Sequence, residues 1–161
     1  GVGILCAANR VSQAPEGAME QVIDSMTTLN RKASEIGRKY PVHACTDVTG
    51  FGFLGHLHEM MDGRHSCKIY ADRLPGFDGA EACAGQKNRN HLEQYVRFEN
   101  VSFGIEEVLY DPQTSGGLLF AVPGEVAEEL RGKLREAGLP AEIVGKVMER
   151  QEMEILVAGR K

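Results

Sequence analysis

Apolar residues recur every three or four positions between residues 19 and 36 of the chain. The members of this stripe are Met19, Val22, Ile23, Met26, Leu29, Ala33 and Ile36. This spacing predicts one amphipathic helix of about five turns, with its apolar face against a core. Gly37 and the basic pair Arg38 and Lys39 fit the C-terminal end of that helix, and Pro41 stops it.

Short continuous apolar runs predict buried strands elsewhere in the chain. They lie at residues 1–8, 42–45, 67–71 and 118–122. Two further runs, at residues 143–147 and 154–157, predict a closing hairpin across a turn at residues 150–152.

Helical spacing returns at residues 53–61 and 125–137, and more briefly at residues 88–96. Residues 74–85 have no regular pattern, because proline and glycine residues interrupt them. No repeat, linker or low-complexity tract divides the chain. Together these elements predict a single α+β domain in which helices pack against a mixed, mainly antiparallel sheet.

The composition limits the classes of function that the domain can have. Its 161 residues, of which 42% are hydrophobic and 25% charged, suit one soluble globular domain. A net charge of −5 argues against a surface that coats nucleic acid. The longest apolar run is far shorter than the roughly 20 residues of a membrane span, so we expect no membrane insertion. Four cysteines without a CxxC pair favour a reduced, cytoplasmic protein.

The chain begins directly in an apolar run, without Met and without a basic stretch before it. This start differs from a secretory signal, whose longer apolar region follows positive charge. It suggests that a further segment precedes the chain in the full protein.

The first candidate site is the glycine-containing loop at residues 46–52, between a predicted strand and a predicted helix. The first amides of a helix lack intrahelical partners, and Gly50 and Gly52 would let an anion approach the backbone. Thr49 adds a hydroxyl, and Asp47 adds a carboxylate of the kind that binds Mg²⁺ beside substrate phosphates. The pattern is compatible with phosphate binding. Alternatively, Asp47 or Thr49 caps the helix and the glycines only turn the chain.

The second candidate site is the loop at residues 111–117, which leads into the apolar run at 118–122. Its members with exposed hydroxyls or amides would be Thr114, Ser115, Gly116 and Gly117. The residues alone favour a plainer structure, in which the loop is a tight turn and Asp111 bonds the turn amides.

Two histidines lie in the helix predicted at residues 53–61 and could suggest a metal site. His56 and His58 are two positions apart, however, and a helix does not place such residues on one face. We therefore expect them to be packing or surface histidines.

Taken together, the two loops resemble motifs of the selenophosphate synthetase (selenide, water dikinase) family, within the aminoimidazole ribonucleotide synthetase superfamily. The matching motifs are HACTDVTGFG at residues 43–52, followed by LGHL at 54–57, and LYDPQTSGGLL at 109–119. Shorter agreements are GIL at 3–5, MTTLN at 26–30, ADRLP at 71–75 and NRN at 88–90. The resemblance therefore extends over essentially the whole chain.

The resemblance implies that residues 1–161 are the C-terminal domain of a two-domain enzyme, with a layered, partly ferredoxin-like α+β fold. Such an enzyme makes selenophosphate from selenide, ATP and water, and releases AMP and phosphate. Its N-terminal domain, absent here, binds most of the ATP and carries the catalytic Cys or selenocysteine and a Lys. The resemblance also implies a homodimer when full length, and an isolated domain that is inactive.

The resemblance assigns roles to the residues of both loops. Asp47 would be the one Mg²⁺ ligand from this domain, while Thr49, Gly50 and Gly52 would lie toward the phosphates of ATP. The second loop would line the same cleft through Thr114, Ser115, Gly116 and Gly117. No catalytic residue is expected in this domain, so Cys6 and Cys45 are not expected to be the catalytic thiol.

One segment departs from the family pattern, and two other functions stay open. Residues 76–87 are shorter than the corresponding stretch of the family and lack its Pro-Gly-Gly-Thr-like turn. One alternative is a stand-alone phosphate- or nucleotide-binding module. The other is the corresponding domain of a different ATP-dependent enzyme of the superfamily, such as thiamine-monophosphate kinase or a hydrogenase-maturation protein.

Overall fold

The computed structural model of the chain describes residues 1–85 and 91–159. Its helices are α1 (Val2–Arg10), α2 (Ala18–Thr27), α3 (Arg31–Gly37), α4 (Gly52–Met61), α5 (Ala80–Cys83), α6 (Phe103–Tyr110) and α7 (Gly124–Glu136). Its strands are β1 (Ala44–Asp47), β2 (His65–Tyr70), β3 (Val96–Glu99), β4 (Leu118–Ala121), β5 (Gly145–Glu149) and β6 (Ile155–Ala158). Short 3-10 turns occupy Ala71–Arg73 and His91–Tyr95.

The strands form two separate sheets. Strand β1 pairs antiparallel with β4 in a two-stranded ribbon, and the other strands form a sheet in the order β3-β6-β2-β5. In this second sheet β6 runs parallel to both neighbours, whereas β5 runs antiparallel to β2. The predicted α+β class with a mixed sheet is confirmed. Among the described residues, however, the pairings divide evenly between parallel and antiparallel, instead of being mainly antiparallel.

The predicted closing hairpin is wrong, because β2 lies between β5 and β6. The buried Ser66 of β2 explains the different connection. Its hydroxyl donates to the carbonyl of Met153 at 2.8 Å and accepts from the amide of Gln151 at 2.8 Å. These bonds hold the connection against β2, so that the chain crosses it before β6 begins. Ile155 and Val157 of β6 are then fully buried between two neighbouring strands.

The predicted long helix at residues 19–36 is also wrong, since α2 and α3 are separated by a three-residue break. The hydroxyls of Thr27 and Thr28 donate to backbone carbonyls of the last turns of α2. Such bonds offer the backbone an alternative to continuing the helix. The Asn30 side chain then donates to the carbonyl of Gly116 at 2.8 Å, which ties the break to a distant loop.

The predicted opening strand is a helix, α1. Its buried residues Val2, Ile4, Leu5 and Ala8 follow helical spacing, but its N-cap, Gly1, makes no side-chain cap bond. The groups that satisfy its first amides lie more than a hundred residues away, as described below. No local signal could have revealed them.

The remaining predictions divide between confirmed and corrected elements. The helices predicted at 53–61 and 125–137 are confirmed as α4 and α7. The strands predicted at 42–45, 67–71 and 118–122 are confirmed as β1, β2 and β4. The ends of these five elements differ from the predicted ends by no more than two residues. Residues 91–95 of the helix predicted at 88–96 form a 3-10 turn that leads into β3, and residues 88–90 lie outside the described residues. The irregular segment at 74–85 contains only the four-residue α5.

Helix α6 is an element that the sequence prediction missed. Ser102 caps it, because its side-chain oxygen accepts from the amide of Ile105. A serine before residues with apolar side chains at helical spacing is a recognised start signal, so this helix was detectable from sequence.

Two apolar cores stabilise the fold. The main core joins α4 and α6 to β2 and β6, and a smaller core joins α1, α2 and α5. Helix α4 is further anchored by His58, whose Nδ1 hydrogen-bonds the buried carboxylate of Glu154 and whose ring stacks on Tyr95 at 4.4 Å. Anchoring α4 in this way sets the position of the loop at its start. Within the described residues, no helix combines the length and apolar character that crossing a bilayer requires.

Candidate functional site

The pairing of β1 with β4 brings the two candidate loops together. Asp47, the last residue of β1, lies opposite Leu118, the first residue of β4. Beyond the ribbon, the Val48 amide donates to the Gly117 carbonyl at 3.0 Å, and the Gln113 amide donates to the Thr49 carbonyl at 3.0 Å. The loops at 46–52 and 111–117 are therefore direct neighbours.

Asp47 is exposed at the end of β1. Among residues 1–85 and 91–159, its carboxylate has no hydrogen-bond or ion-pair partner. It borders an open depression of about 440 Å³, together with Asn30, Arg31 and Cys45. Asp47 thus neither caps α4 nor turns into the protein, and its oxygens are available to a cation.

Gly52 and Gly116 are required where the two loops touch. Gly52 has a φ of 68°, and a Cβ there would lie 2.7 Å from the carbonyl oxygen of Tyr110. A Cβ on Gly116 would lie 2.0 Å from the carbonyl oxygen of Val48. Both glycines therefore serve the close approach of one chain segment to another. In contrast, a Cβ on Gly50 would meet no atom within 4 Å.

The first loop leaves some of its amides available to an anion. The Gly52 amide donates to the Thr49 carbonyl at 3.0 Å and is therefore already used. In the part of the chain that the structure describes, the amides of Gly50 and Phe51 have no partner, and both residues are exposed. The groups that could bind a phosphate oxygen here are thus the amides of Gly50 and Phe51, not that of Gly52.

The second loop borders a different cavity from Asp47. Ser115, Gly116 and Gly117 line a cleft of about 1520 Å³ between the β1–β4 ribbon and the four-stranded sheet. The depression beside Asp47 is separate, although Asn30 borders both. The structure thus places the loops side by side without placing Asp47 and the second loop in one cleft. Thr114 is exposed beside them.

Residues 111–113 cap helix α1, a role that the sequence did not reveal. The buried Asp111 carboxylate accepts from the amide of Ile4 at 3.2 Å. The Gln113 side-chain oxygen accepts from the amide of Val2 at 3.3 Å, and the Pro112 carbonyl accepts from the amide of Gly3 at 3.2 Å. The expectation that Asp111 bonds the amides of its own turn is wrong, because the first turn of α1 supplies the donor instead.

Gln113 also joins that cap to the first loop. Its side-chain amide donates to the Asp111 carboxylate at 3.1 Å, while its backbone amide donates to the Thr49 carbonyl. One residue thus connects α1, the second loop and the first loop. Sequence reasoning missed it, since a glutamine has no periodic or charge signal that would mark such a role.

The comparisons with known proteins identify the family. The family described as AIR synthase related protein, C-terminal domain, matches residues 1–158. The chain belongs to this family.

Several relatives of this AIR synthase related domain are named selenide, water dikinase. The chain is 49% identical to a selenide, water dikinase of Agathobacter rectalis, over 98% of this chain and 48% of that protein. It is 42% identical to a selenide, water dikinase of Desulfitobacterium hafniense strain Y51, and 36% identical to selenide, water dikinase 2 of Peptoclostridium acidaminophilum, with the same coverage. The chain spans about half the length of the curated relatives it matches.

Two thiols of the domain, those of Cys45 and Cys67, have raised pKa values. Burial, with a smaller effect of the Asp47 carboxylate, raises the pKa of the Cys45 thiol. Burial, with the Glu154 carboxylate adding to it, raises the pKa of Cys67 to about 12. Both thiols are therefore protonated near pH 7, which is opposite to what an activated nucleophile requires. Cys6, expected in a strand, lies in α1.

No complete metal centre is present within the described residues, where no group of three or more His, Cys, Asp or Glu side chains could hold an ion. His56 and His58 contact different partners, which is consistent with their being packing histidines. Any cation at Asp47 would therefore need ligands beyond these residues.

A glycine comparison tests whether Gly52 is needed for contact between the loops. We expect Gly52→Ala to lower the free energy of unfolding by about 2–4 kcal/mol, because a left-handed φ and a clash with the Tyr110 carbonyl both penalise a Cβ. Gly50→Ala, which places a methyl group in open space, should change it by less than about 0.5 kcal/mol. Urea unfolding of the two variants measures this difference, and equal losses would contradict the proposed contact.

The tertiary cap on α1 gives a second prediction. Asp111→Ala leaves the Ile4 amide buried without its acceptor, so we expect a loss of about 1–3 kcal/mol in the free energy of unfolding. Amide hydrogen exchange at Ile4 should also become faster than at the middle of α1. The exposed Asp78→Ala is the matched control, and unchanged Ile4 exchange in the Asp111 variant would count against the cap.

Proposed function

We propose that the chain is the C-terminal domain of a selenide, water dikinase, which makes selenophosphate from selenide, ATP and water and releases AMP and phosphate. The observation that carries this proposal is the Asp47 carboxylate, which has no partner among the described residues and lies three and four residues before the amides of Gly50 and Phe51, which are free in the same part of the chain. Support comes from the identity of 49% to a protein of that name over nearly the whole chain.

In this proposal Asp47 contributes one ligand to Mg²⁺. The donor fits, because Mg²⁺ binds oxygen, commonly through one or two carboxylates together with water and substrate phosphates. A cation there would neutralise charge on the phosphates and act as a Lewis acid. The other ligands, and most contacts to ATP, would come from an N-terminal domain, since a single carboxylate is not a metal site.

The first loop is proposed to contact phosphate through its backbone. The exposed amides of Gly50 and Phe51 lie at the start of α4, where the helix dipole favours an anion. Gly52 shapes this loop, and Gly116 and Gly117 hold it against β4. Thr114 and Ser115 remain exposed hydroxyls on the neighbouring loop. The contribution of this domain to phosphoryl transfer is thus positioning and charge stabilisation, not nucleophilic attack.

The same proposal covers the parts of the enzyme that lie outside this chain. Its partner is the N-terminal domain, the full-length protein is a cytoplasmic homodimer, and residues 1–161 alone are inactive.

Two alternative functions are open. The first alternative is a stand-alone phosphate- or nucleotide-binding module. The second is another ATP-dependent enzyme of the superfamily, but the names of the relatives favour selenium chemistry.

Substitution of the proposed ligand tests the function. In the full-length enzyme we expect Asp47→Ala to abolish selenophosphate formation, because one hard ligand of the cation is lost, while the unfolding transition stays unchanged. The control is Asp78→Ala, at another exposed carboxylate, which should keep its activity. Near-normal turnover of the Asp47 variant at ordinary Mg²⁺ concentration would exclude the proposed role.

Calorimetry separates the domain from the stand-alone module. Titration of residues 1–161 with ATP and Mg²⁺ should show little or no binding, since most ligands of the nucleotide are proposed to lie in the other domain. Tight binding by this chain alone, lost in Asp47→Ala, would favour the module instead.

A further inference from the structure

A hydroxyl, an imidazole and a carboxylate lie in a row at the start of α4. The Nε2 atom of His56 is 3.1 Å from Oγ1 of Thr49, and its Nδ1 atom is 3.2 Å from Oε2 of Glu59. His56 is only 7% exposed, and the Phe51 ring packs against it at 5.4 Å. Thr49 is half-buried and Glu59 is exposed. The imidazole is thus held between a half-buried hydroxyl and a carboxylate at the surface.

The carboxylate decides which nitrogen of the neutral ring carries the proton. The Nδ1 atom of His56 is buried, and Glu59 approaches it within hydrogen-bond distance but without the alignment of a formed bond. A lone pair on Nδ1 would face negative charge at 3.2 Å, whereas an N–H there is attracted to it. The side chain of Glu59 is 57% exposed, and an N–H on Nδ1 would complete a hydrogen bond when that carboxylate aligns with it. The proton therefore belongs on Nδ1, which leaves Nε2 as an acceptor.

This tautomer fixes the direction of the Thr49 hydroxyl. With Nε2 unprotonated, the Thr49 hydroxyl donates its one hydrogen to His56. The lone pairs of the Thr49 oxygen are then left to accept a hydrogen bond or to bind a cation. The backbone of Thr49 cannot easily turn away, because its carbonyl accepts from the amides of both Gly52 and Gln113 at 3.0 Å. A hydroxyl held in this way cannot donate to a phosphate oxygen.

We infer that His56 and Glu59 are positioning residues that make the Thr49 hydroxyl an acceptor, so that it would serve a cation, or water bound to that cation, and not a phosphate oxygen. The cation is the one proposed at Asp47, two residues earlier, so this step rests on the proposed function. Phosphate oxygens would then be left to the amides of Gly50 and Phe51. On this inference Thr49 would act on the cation side, in place of the phosphate contact expected from the resemblance.

Nitrogen NMR of the chain itself tests the tautomer without any activity. In ¹⁵N-histidine-labelled protein, with His56→Gln used to assign the signals, neutral His56 should show a protonated Nδ1 and an unprotonated Nε2. Thr49→Val should shift the Nε2 resonance further toward that of a free acceptor, because it removes the donated hydrogen bond, and Thr49→Ser should restore it. Glu59→Gln removes the negative charge near Nδ1, so it should raise the population of the tautomer with the proton on Nε2. A proton on Nε2 of His56 in the unmodified chain would overturn the inference.

A kinetic measurement tests the direction of the hydroxyl in the full-length enzyme. Thr49→Val should raise the Mg²⁺ concentration for half-maximal rate about tenfold, the effect of one lost hydrogen bond of about 1.4 kcal/mol. The KM for ATP at saturating Mg²⁺ should stay unchanged, and Thr49→Ser should recover the Mg²⁺ dependence. A raised KM for ATP with an unchanged Mg²⁺ dependence would instead show a phosphate contact and refute the inference.

The two proposals can fail separately. If Asp47→Ala keeps full activity while His56 shows the expected tautomer, the cation role of Thr49 fails and the hydrogen-bonded row remains. If Asp47→Ala is inactive but His56 is protonated on Nε2, the proposed function stands and the inference about Thr49 is wrong.

Discussion

The site depends on the antiparallel pairing of β1 with β4. This pairing continues past the end of β1, where the Val48 amide donates to the Gly117 carbonyl, and it succeeds only because Gly116 has no Cβ to meet the Val48 carbonyl. Backbone groups that are shielded from water must find partners, and here each loop satisfies the other. The geometry of the Asp47 loop is therefore set by residues about seventy positions further along the chain.

A second constraint ties the start of the chain to the same place. The first amides of α1 are satisfied by the side chains of Asp111 and Gln113, and Gln113 also donates to the Thr49 carbonyl. A helix without its own cap is thereby completed by the loop that supports the site. This coupling links α1 directly to both loops of the candidate site.

Within the described residues, the domain supplies an unpartnered carboxylate and two free amides, not a complete metal centre. An exposed carboxylate and two free amides are solvated at little cost in free energy. Their electrostatic interactions with charged groups become stronger where a partner surface excludes water. The apolar core beneath them, together with the contact of His58 with the buried Glu154, anchors α4. Such a division suits the proposed enzyme, whose reacting groups would be shared between two domains.

The sequence by itself determined the α+β class, helices α4 and α7, the strands of the ribbon and the two motifs, because these depend on local periodicity and turn residues. It led to errors at α1, at the break after Thr27 and in the pairing of β6. Each involves a distant partner: Asp111 for α1, Gly116 for the break that the hydroxyls of Thr27 and Thr28 favour locally, and Ser66 for the crossover before β6. Tertiary structure alone also showed that Gly52 serves chain contact and that His56 holds Thr49, since hydrogen bonds between segments leave no periodic trace in a sequence.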